Sequence, residues 1–253
     1  MIYSKSWSEL QTMDRCNAIV LDILQRLRER IAPGVTTGDL DRWAEEWTEE
    51  AGALPAFKGY RGYPATLCTS VNEQIVHGIP GDRELKEGDI IGIDMGVILD
   101  GYYGDAAMTV AVGRIAPEAR RLLEVTETSL RRGLEQVAVG KRISDIGHAV
   151  SSYVTPHGYT LVKEFTGHGI GRALHEDPQV PNYGDPGRGP RMSEGMVLAI
   201  EPMVCAGRSD VVLADDQWTA STADGSLAAH FERSVAVTPK GPWVLGESHP
   251  PPR

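Results

Sequence analysis

Cysteine is scarce in this 253-residue chain, and its three copies, Cys16, Cys68 and Cys205, stand far apart. With no CxxC pair there is no thiolate zinc cluster, and an odd, scattered set fits a reducing compartment better than a disulfide framework. No apolar run approaches the roughly 20 residues that a membrane-spanning helix needs. The opening segment MIYSKSWSELQTMDR lacks the apolar core and small-residue cleavage site of a secretory signal. Cytoplasmic residence, away from membranes, is therefore the expectation. Basic residues are also short, 25 Lys and Arg against 35 Asp and Glu, for a net charge of −10. That balance argues against a nucleic-acid or anionic-membrane binder, though a local basic patch stays open.

What is present is ordinary globular material, long enough for one large domain or two small ones. Met13, Cys16, Val20, Ile23, Leu27 and Ile31 step by three and four, a helical stripe opened by a Ser6–Glu9 capping box. A shorter helical pattern covers 37–51, and strand-like runs follow at 66–71, 89–99 and 102–112. Beyond Pro117 the plan returns: Leu123, Leu130, Leu134 and Val137 mark a long helix, and 144–155 a shorter one. APGVTTGDL (32–40) aligns with AVGKRISDI (138–146), matching Gly34 to Gly140 and Asp39 to Asp145. The same offset pairs Gly52 with Gly158. LKEGDIIGID (85–94) echoes MSEGMVLAIE (192–201) at nearly that offset, and pairs Asp94 with Glu201. Two echoes at almost one spacing point to internal duplication. The reading is α+β: helix, helix, strands, twice, about a pseudo-twofold axis, with halves at about 5–112 and 117–238.

The chemistry sits at the ends of apolar strands. Asp94 lies within IIGIDMGVIL, where a lone buried carboxylate is costly. A two-residue turn at Asp100-Gly101 sets Leu99 opposite Tyr102 and Asp105 opposite Gly96, on the same sheet face as Asp94. Two such acids must share a proton or bind a cation. Singly, Asp105 could cap a turn and Asp94 could pair with an arginine; together, with Glu201 in the echoed place, they favour a metal site. Glu232, in the alternating segment AAHFERSVAVT (228–238), joins them. Four carboxylates with an imidazole suit two adjacent divalent cations, manganese, iron or cobalt, with zinc admissible.

Longer motifs then carry a resemblance: YRGYPATLCTSVNEQIVHGIP (60–80), GDIIGIDMGVILDGYYGDAAMT (88–109), GHGIGRALHEDPQVPNY (167–183), LAIEPM (198–203) and HFERSVAVT (230–238). Over nearly the whole length the chain resembles the bacterial, type I methionine aminopeptidases, metallopeptidases of family M24 with the pita-bread fold. The resemblance implies a curved antiparallel sheet and one catalytic domain over 1–253. It places metal ligands at Asp94, Asp105, His168, Glu201 and Glu232. It implies removal of N-terminal methionine from nascent polypeptides and peptides with a small second residue, by a water or hydroxide bridging two metals, with contact to the ribosome left open. Glu201 would also relay the proton, and His77 and His175 would bind substrate and stabilise the tetrahedral intermediate. Tyr60, Tyr63, Cys68, Leu174 and Trp218 would form the methionine pocket, with Cys68 a soft wall rather than a nucleophile. A monomer is expected.

Some positions depart from the pattern. Leu174 stands where several members carry phenylalanine, and Arg233-Ser234 where histidine and threonine are usual. The rivals are Xaa-Pro peptidases or creatinase-like hydrolases of the same fold, which carry a sizeable N-terminal domain with no room before Asp94 here, and a non-catalytic binding protein, which would shed ligands this chain keeps. In FTGHGIGRALHEDP (165–178) the glycines exclude a helix, and they are expected to let the backbone approach the metal site and substrate. The stretch 178–190 reads as a surface loop, and the tail from Gly241 as extended and dispensable.

Overall fold

The computed structural model describes residues 2–247. Helices α1 (Trp7–Arg30) and α2 (Thr37–Glu50) lead into strands β1 (Leu54–Pro55), β2 (Leu67–Val71), β3 (Gln74–Val76), β4 (Ile90–Leu99) and β5 (Tyr102–Ala111). The second half repeats the helix pair as α3 (Pro117–Leu134) and α4 (Ile143–Val154). It continues through β6 (Thr160–Leu161), β7 (Gly167–Gly169), β8 (Glu176–Val180), β9 (Val197–Ile200), β10 (Met203–Cys205), β11 (Val211–Leu213), β12 (Ala220–Thr222), β13 (Ala228–His230), β14 (Glu232–Thr238) and β15 (Gly241–Val244).

The helices start where the sequence provides a cap. Ser6 and Glu9 form the expected reciprocal capping box on α1, and Thr36 and Asp39 do the same on α2. The buried face of α1 carries Met13, Cys16, Val20, Ile23 and Leu27, while Ile31 is the residue that ends it. In α3 the core position is Leu122, with Leu123 only half-buried, and Val137 packs from the loop beyond the helix. Only that position of the expected stripe shifts, because neighbouring leucines satisfy either phase; Leu130, Leu134 and Val137 are buried as expected.

A nine-stranded sheet runs β1-β4-β5-β14-β9-β7-β8, with β2 also on β4 and β15 also on β14. Helices α1 and α2 cover the first half of it through the cluster around Leu24, Leu27, Leu67 and Ile93, and α3 and α4 the second half through Leu130, Ile146, Leu198 and Val235. This is the curled antiparallel architecture expected from the resemblance.

The two halves match in detail. Gly34 and Gly140 both adopt positive φ, at 92° and 89°, as do Gly88 and Gly195, at 95° and 82°. The Gly34 N–H bonds the Leu85 carbonyl and the Gly140 N–H the Met192 carbonyl, each at 2.9 Å. Isolated bridges Thr36–Glu84 and Arg142–Arg191 occupy equivalent places. The sequence echoes therefore mark a structural pseudo-twofold.

Two expectations fail here. The stretch 178–190 is not all loop: Pro178, Gln179 and Val180 belong to β8, with Pro178 and Val180 buried. Residues 241–247 are not a loose end. Gly241–Val244 pair with β14, Trp243 is 1% exposed against Trp7, and Leu245 is equally buried. A proline-rich terminus hides a strand when its partner lies just upstream across a Pro239-Lys240 turn. Residues 248–253 lie outside the described part.

Candidate metal centre and substrate cavity

The hairpin β4–β5 turns at Asp100 and Gly101, both at positive φ, which matches the right-handed twist of its strands. Its register sets Gly96 opposite Asp105 and Asp94 opposite Ala107, as the turn predicted. Ala107 in turn pairs with Glu232 on β14, so Asp94, Asp105 and Glu232 share one face. On the far side of β14, Arg233 pairs with Ile200, which leaves Glu201 opposite Glu232 just past the end of β9. His168 on β7 pairs with Ala199, on the same face again. Five adjacent strands thus each contribute one side chain to the same patch.

Within that patch Asp105, His168 and Glu232 offer ligand atoms that all lie within 4.8 Å of one another, and all three residues are buried. His168 Nε2 stands 3.6 Å from Glu201 Oε1 and 3.9 Å from Asp105 Oδ2. His168 Nδ1 lies 2.9 Å from the Gly169 carbonyl, which can only accept, so Nδ1 carries the proton and Nε2 presents a lone pair. Asp94 Oδ1, Asp105 Oδ1 and Glu232 Oε1 are buried and have no hydrogen-bond partner.

The electrostatics follow from that crowding. Burial pushes the Asp94 carboxyl up to about 7. Asp105, Glu201 and Glu232 are also raised, first by burial and then by the neighbouring carboxylates. Burial holds His168 neutral, down to about 4, with His175 adding to the effect. Orphaned carboxylate oxygens beside a neutral imidazole lone pair are a donor set that fits divalent cations, whose charge would relieve the repulsion.

Around this patch is a cavity of about 290 Å³. All twelve residues expected at the site line it: the four acids and His168 side by side with Tyr60, Tyr63, Cys68, His77, Leu174, His175 and Trp218. Cys68 pairs with Asp94 across β2 and β4, so the soft wall adjoins the acids. Its thiol is pushed up, chiefly by burial and then by Asp94, which keeps it protonated. Trp218 meets Tyr63 edge to face at 5.0 Å, and the Tyr63 hydroxyl donates to the Leu67 and Gly78 carbonyls.

Local sequence explains how the two other histidines are presented. His77 has φ of 63°, rare for a side chain with a Cβ. Gly78 follows because any Cβ there would sit 2.1 Å from the Thr69 carbonyl oxygen. The loop is thereby pinned to β2, and His77 packs edge to face on Phe165 and Trp218. His175 ends the bend between β7 and β8, which Glu176 organises. Glu176 accepts from the backbone N–H groups of Arg172 and Ala173 and pairs with the buried Lys5 at 2.6 Å. Tyr60 OH lies 2.8 Å from His175 Nδ1 and fixes that ring. Burial lowers His77 to about 4 and also depresses His175, the latter with help from Arg61.

The glycines of this stretch have a different use from the one expected. A Cβ on Gly167 would stand 2.4 Å from the Ala199 carbonyl oxygen, and one on Gly169 2.2 Å from that of Asp177. They admit the flanking strands β9 and β8, not the metal site or the substrate. Residues missed by the sequence are Phe57, Arg61 and Phe165 in the cavity wall, and His230 beside Glu201. Only His230 carried a signal, as an imidazole two positions before Glu232. Arg233 and Ser234, the departures noted above, fasten the strands: Arg233 donates to the Ala107 and Glu232 carbonyls, and Ser234 to that of Asp105.

An oxygen-rich, histidine-bearing pocket of this kind at the centre of a curled antiparallel sheet defines a metal-dependent hydrolase. The profile of metallopeptidase family M24 matches residues 11–239, and the chain belongs to that family. A methionine aminopeptidase of Clostridium perfringens is 50% identical over 245 residues, 97% of this chain and 98% of the relative. The crystal structure of the methionine aminopeptidase from Rickettsia prowazekii superposes with a TM-score of 0.96 at 39% identity, over 97% of this chain and all of the other. An Xaa-Pro dipeptidase from Bacillus anthracis shares the fold with a TM-score of 0.77, at 21% identity and over only 62% of its own length. Among the described residues no helix is long and apolar enough to cross a membrane.

Proposed function

We propose that the chain is a dinuclear metal-dependent aminopeptidase that releases the N-terminal methionine of nascent chains and peptides whose second residue is small. The observation that carries this reading is the single cavity in which the buried, partnerless carboxylate oxygens meet the wall of Tyr63, Cys68, Leu174 and Trp218. An unbranched thioether suits such a wall through dispersion and sulfur–aromatic contact. The names of its relatives at 50% and 49% identity support methionine over the Xaa-Pro alternative.

In this reading Asp94, Asp105, His168, Glu201 and Glu232 hold two divalent ions, manganese, iron or cobalt before zinc. Bound there, such ions supply Lewis acidity and a water that ionises near neutral pH. Glu201 accepts the proton of the attacking water and delivers it to the leaving nitrogen as the peptide bond breaks. His77 and His175 are neutral donors within the cavity, placed to bond the scissile carbonyl and the oxyanion that replaces it. Tyr60 keeps His175 in that orientation. The rest of the peptide has room in a groove of about 950 Å³ that shares Phe165, His168 and His175 with the cavity.

A peptide panel tests the reading. With manganese, cobalt or iron the protein releases methionine from Met-Ala and Met-Gly peptides and leaves Met-Leu and Met-Phe peptides intact. Efficient cleavage of Xaa-Pro peptides with none of Met-Ala overturns it.

A further inference from the structure

His230, the last residue of β13, has no task in the mechanism above. It is 3% exposed, and its Nε2 is a buried nitrogen without a hydrogen-bond partner. That nitrogen faces Glu201, 3.9 Å from Oε2. Thr109 clasps the His230 backbone from both sides: its Oγ1 accepts the His230 N–H at 2.9 Å and donates to the His230 carbonyl at 2.8 Å. Pairing with Met203 holds it beside the segment that carries Glu201. Glu201 therefore stands between two imidazoles, with Oε1 toward His168 Nε2 and Oε2 toward His230 Nε2.

We infer that His230 is a positioning residue for Glu201, donating its Nε2–H to Oε2 and so fixing the rotation of the carboxylate. The inference rests on the proposed roles of Glu201 as ligand and proton acceptor. The two imidazoles then complement each other: His168 offers a lone pair to the ion, and His230 offers a proton to the carboxylate. A closure of about 1 Å, within reach of a side-chain rotation, brings the pair to ordinary hydrogen-bond length. The bond also gives a buried nitrogen its missing partner. Partners that hold a ligating carboxylate in this way are worth about ten- to a hundredfold in metal affinity or activity.

The experiment compares wild type with His230→Gln, which keeps an N–H donor at similar reach, and His230→Met, which keeps bulk without one. Wild type must first bind manganese and cleave a Met-Ala peptide; if it does neither, the functional reading fails and this one is not what failed. Given that, His230→Met is expected to bind manganese about tenfold or more weakly by calorimetry and to lose kcat with KM within about twofold. The visible absorption of its cobalt-loaded form should shift as well. His230→Gln restores all three. Wild-type affinity and spectrum in His230→Met, or a His230→Gln as impaired as His230→Met, overturns the inference. Should the methionine variant not fold, ¹⁵N-histidine NMR of the zinc-loaded wild type decides. A protonated His230 Nε2 agrees, and a metal-bound or unprotonated one contradicts.

Discussion

Asp94 shows what the centre demands of single residues. Its carboxyl is held at about 7 by burial, and Asp105, Glu201 and Glu232 are raised beside it. A folded-state value above the unfolded one means that the metal-free fold binds more protons than the unfolded chain, so stability falls as pH rises. The buried histidines act oppositely. His77 and His168 at about 4 and His230 at about 3 add stability as pH climbs toward the unfolded value of about 6.5, and nothing beyond it. Above about pH 6.5 the carboxylates alone remain. Chelator-stripped protein should therefore lose thermal stability as pH rises from about 6.5 through 7, where Asp94 ionises in the fold, and saturating manganese should raise Tm most at the upper end. A melting temperature flat or rising over that window in stripped protein contradicts the raised carboxylates. At this scale the sequence revealed Asp94, Asp105 and Glu201 through apolar strands, a turn-set register and the internal echo, and Glu232 through the company it keeps. His168 as a ligand came only from the family resemblance. Arg61 and Glu176 were hidden because their significance lies in contacts made across the fold, and His230 showed only as an imidazole two positions before Glu232.

The elements differ in how far local pattern determines them. The β4–β5 hairpin could be read in full, register included, because Asp100-Gly101 sets the turn and a two-residue turn fixes every pair beyond it. Strands β7 and β8 could not, since three-residue Gly167–Gly169 has no alternation to read and its partners arrive from distant sequence. Their glycines are packing residues: Gly169 leaves 2.2 Å between a built Cβ and the Asp177 carbonyl oxygen. Gly169→Ala should push β7 from β8 at a cost of about 1–3 kcal/mol, and displace the adjacent His168. Thermal denaturation and manganese calorimetry should both register the change. Unaltered stability and affinity would show that the strand pair yields freely.

The whole molecule was legible in outline through its duplication. The two echoes locate turns, Gly34 with Gly140 and Gly88 with Gly195, that the fold uses in equivalent ways. The echo also placed Asp94 and Glu201 at corresponding strand ends, and the axis between the halves brings them to one cavity. We propose that the halves act as one catalytic unit, since each supplies acids to the same centre. What the duplication did not reveal is how the chain closes. β15 returns Trp243 to pack on Trp7 at 5.2 Å, joining the end of the second half to the start of the first. Trp243→Ala should cost about 3–5 kcal/mol, read by denaturant unfolding, whereas a dispensable tail would leave the midpoint unchanged.

The central claim is that four acids and His168, drawn from five neighbouring strands, hold the ions that make this fold a methionine-releasing peptidase. Titrating manganese into chelator-stripped protein, while bound metal and methionine released from Met-Ala-Ser are both measured, tests it most directly. The account predicts no release without metal, and release that grows with occupancy as binding approaches two ions per chain. Release in the presence of chelator with no metal bound, or none at full occupancy, contradicts it.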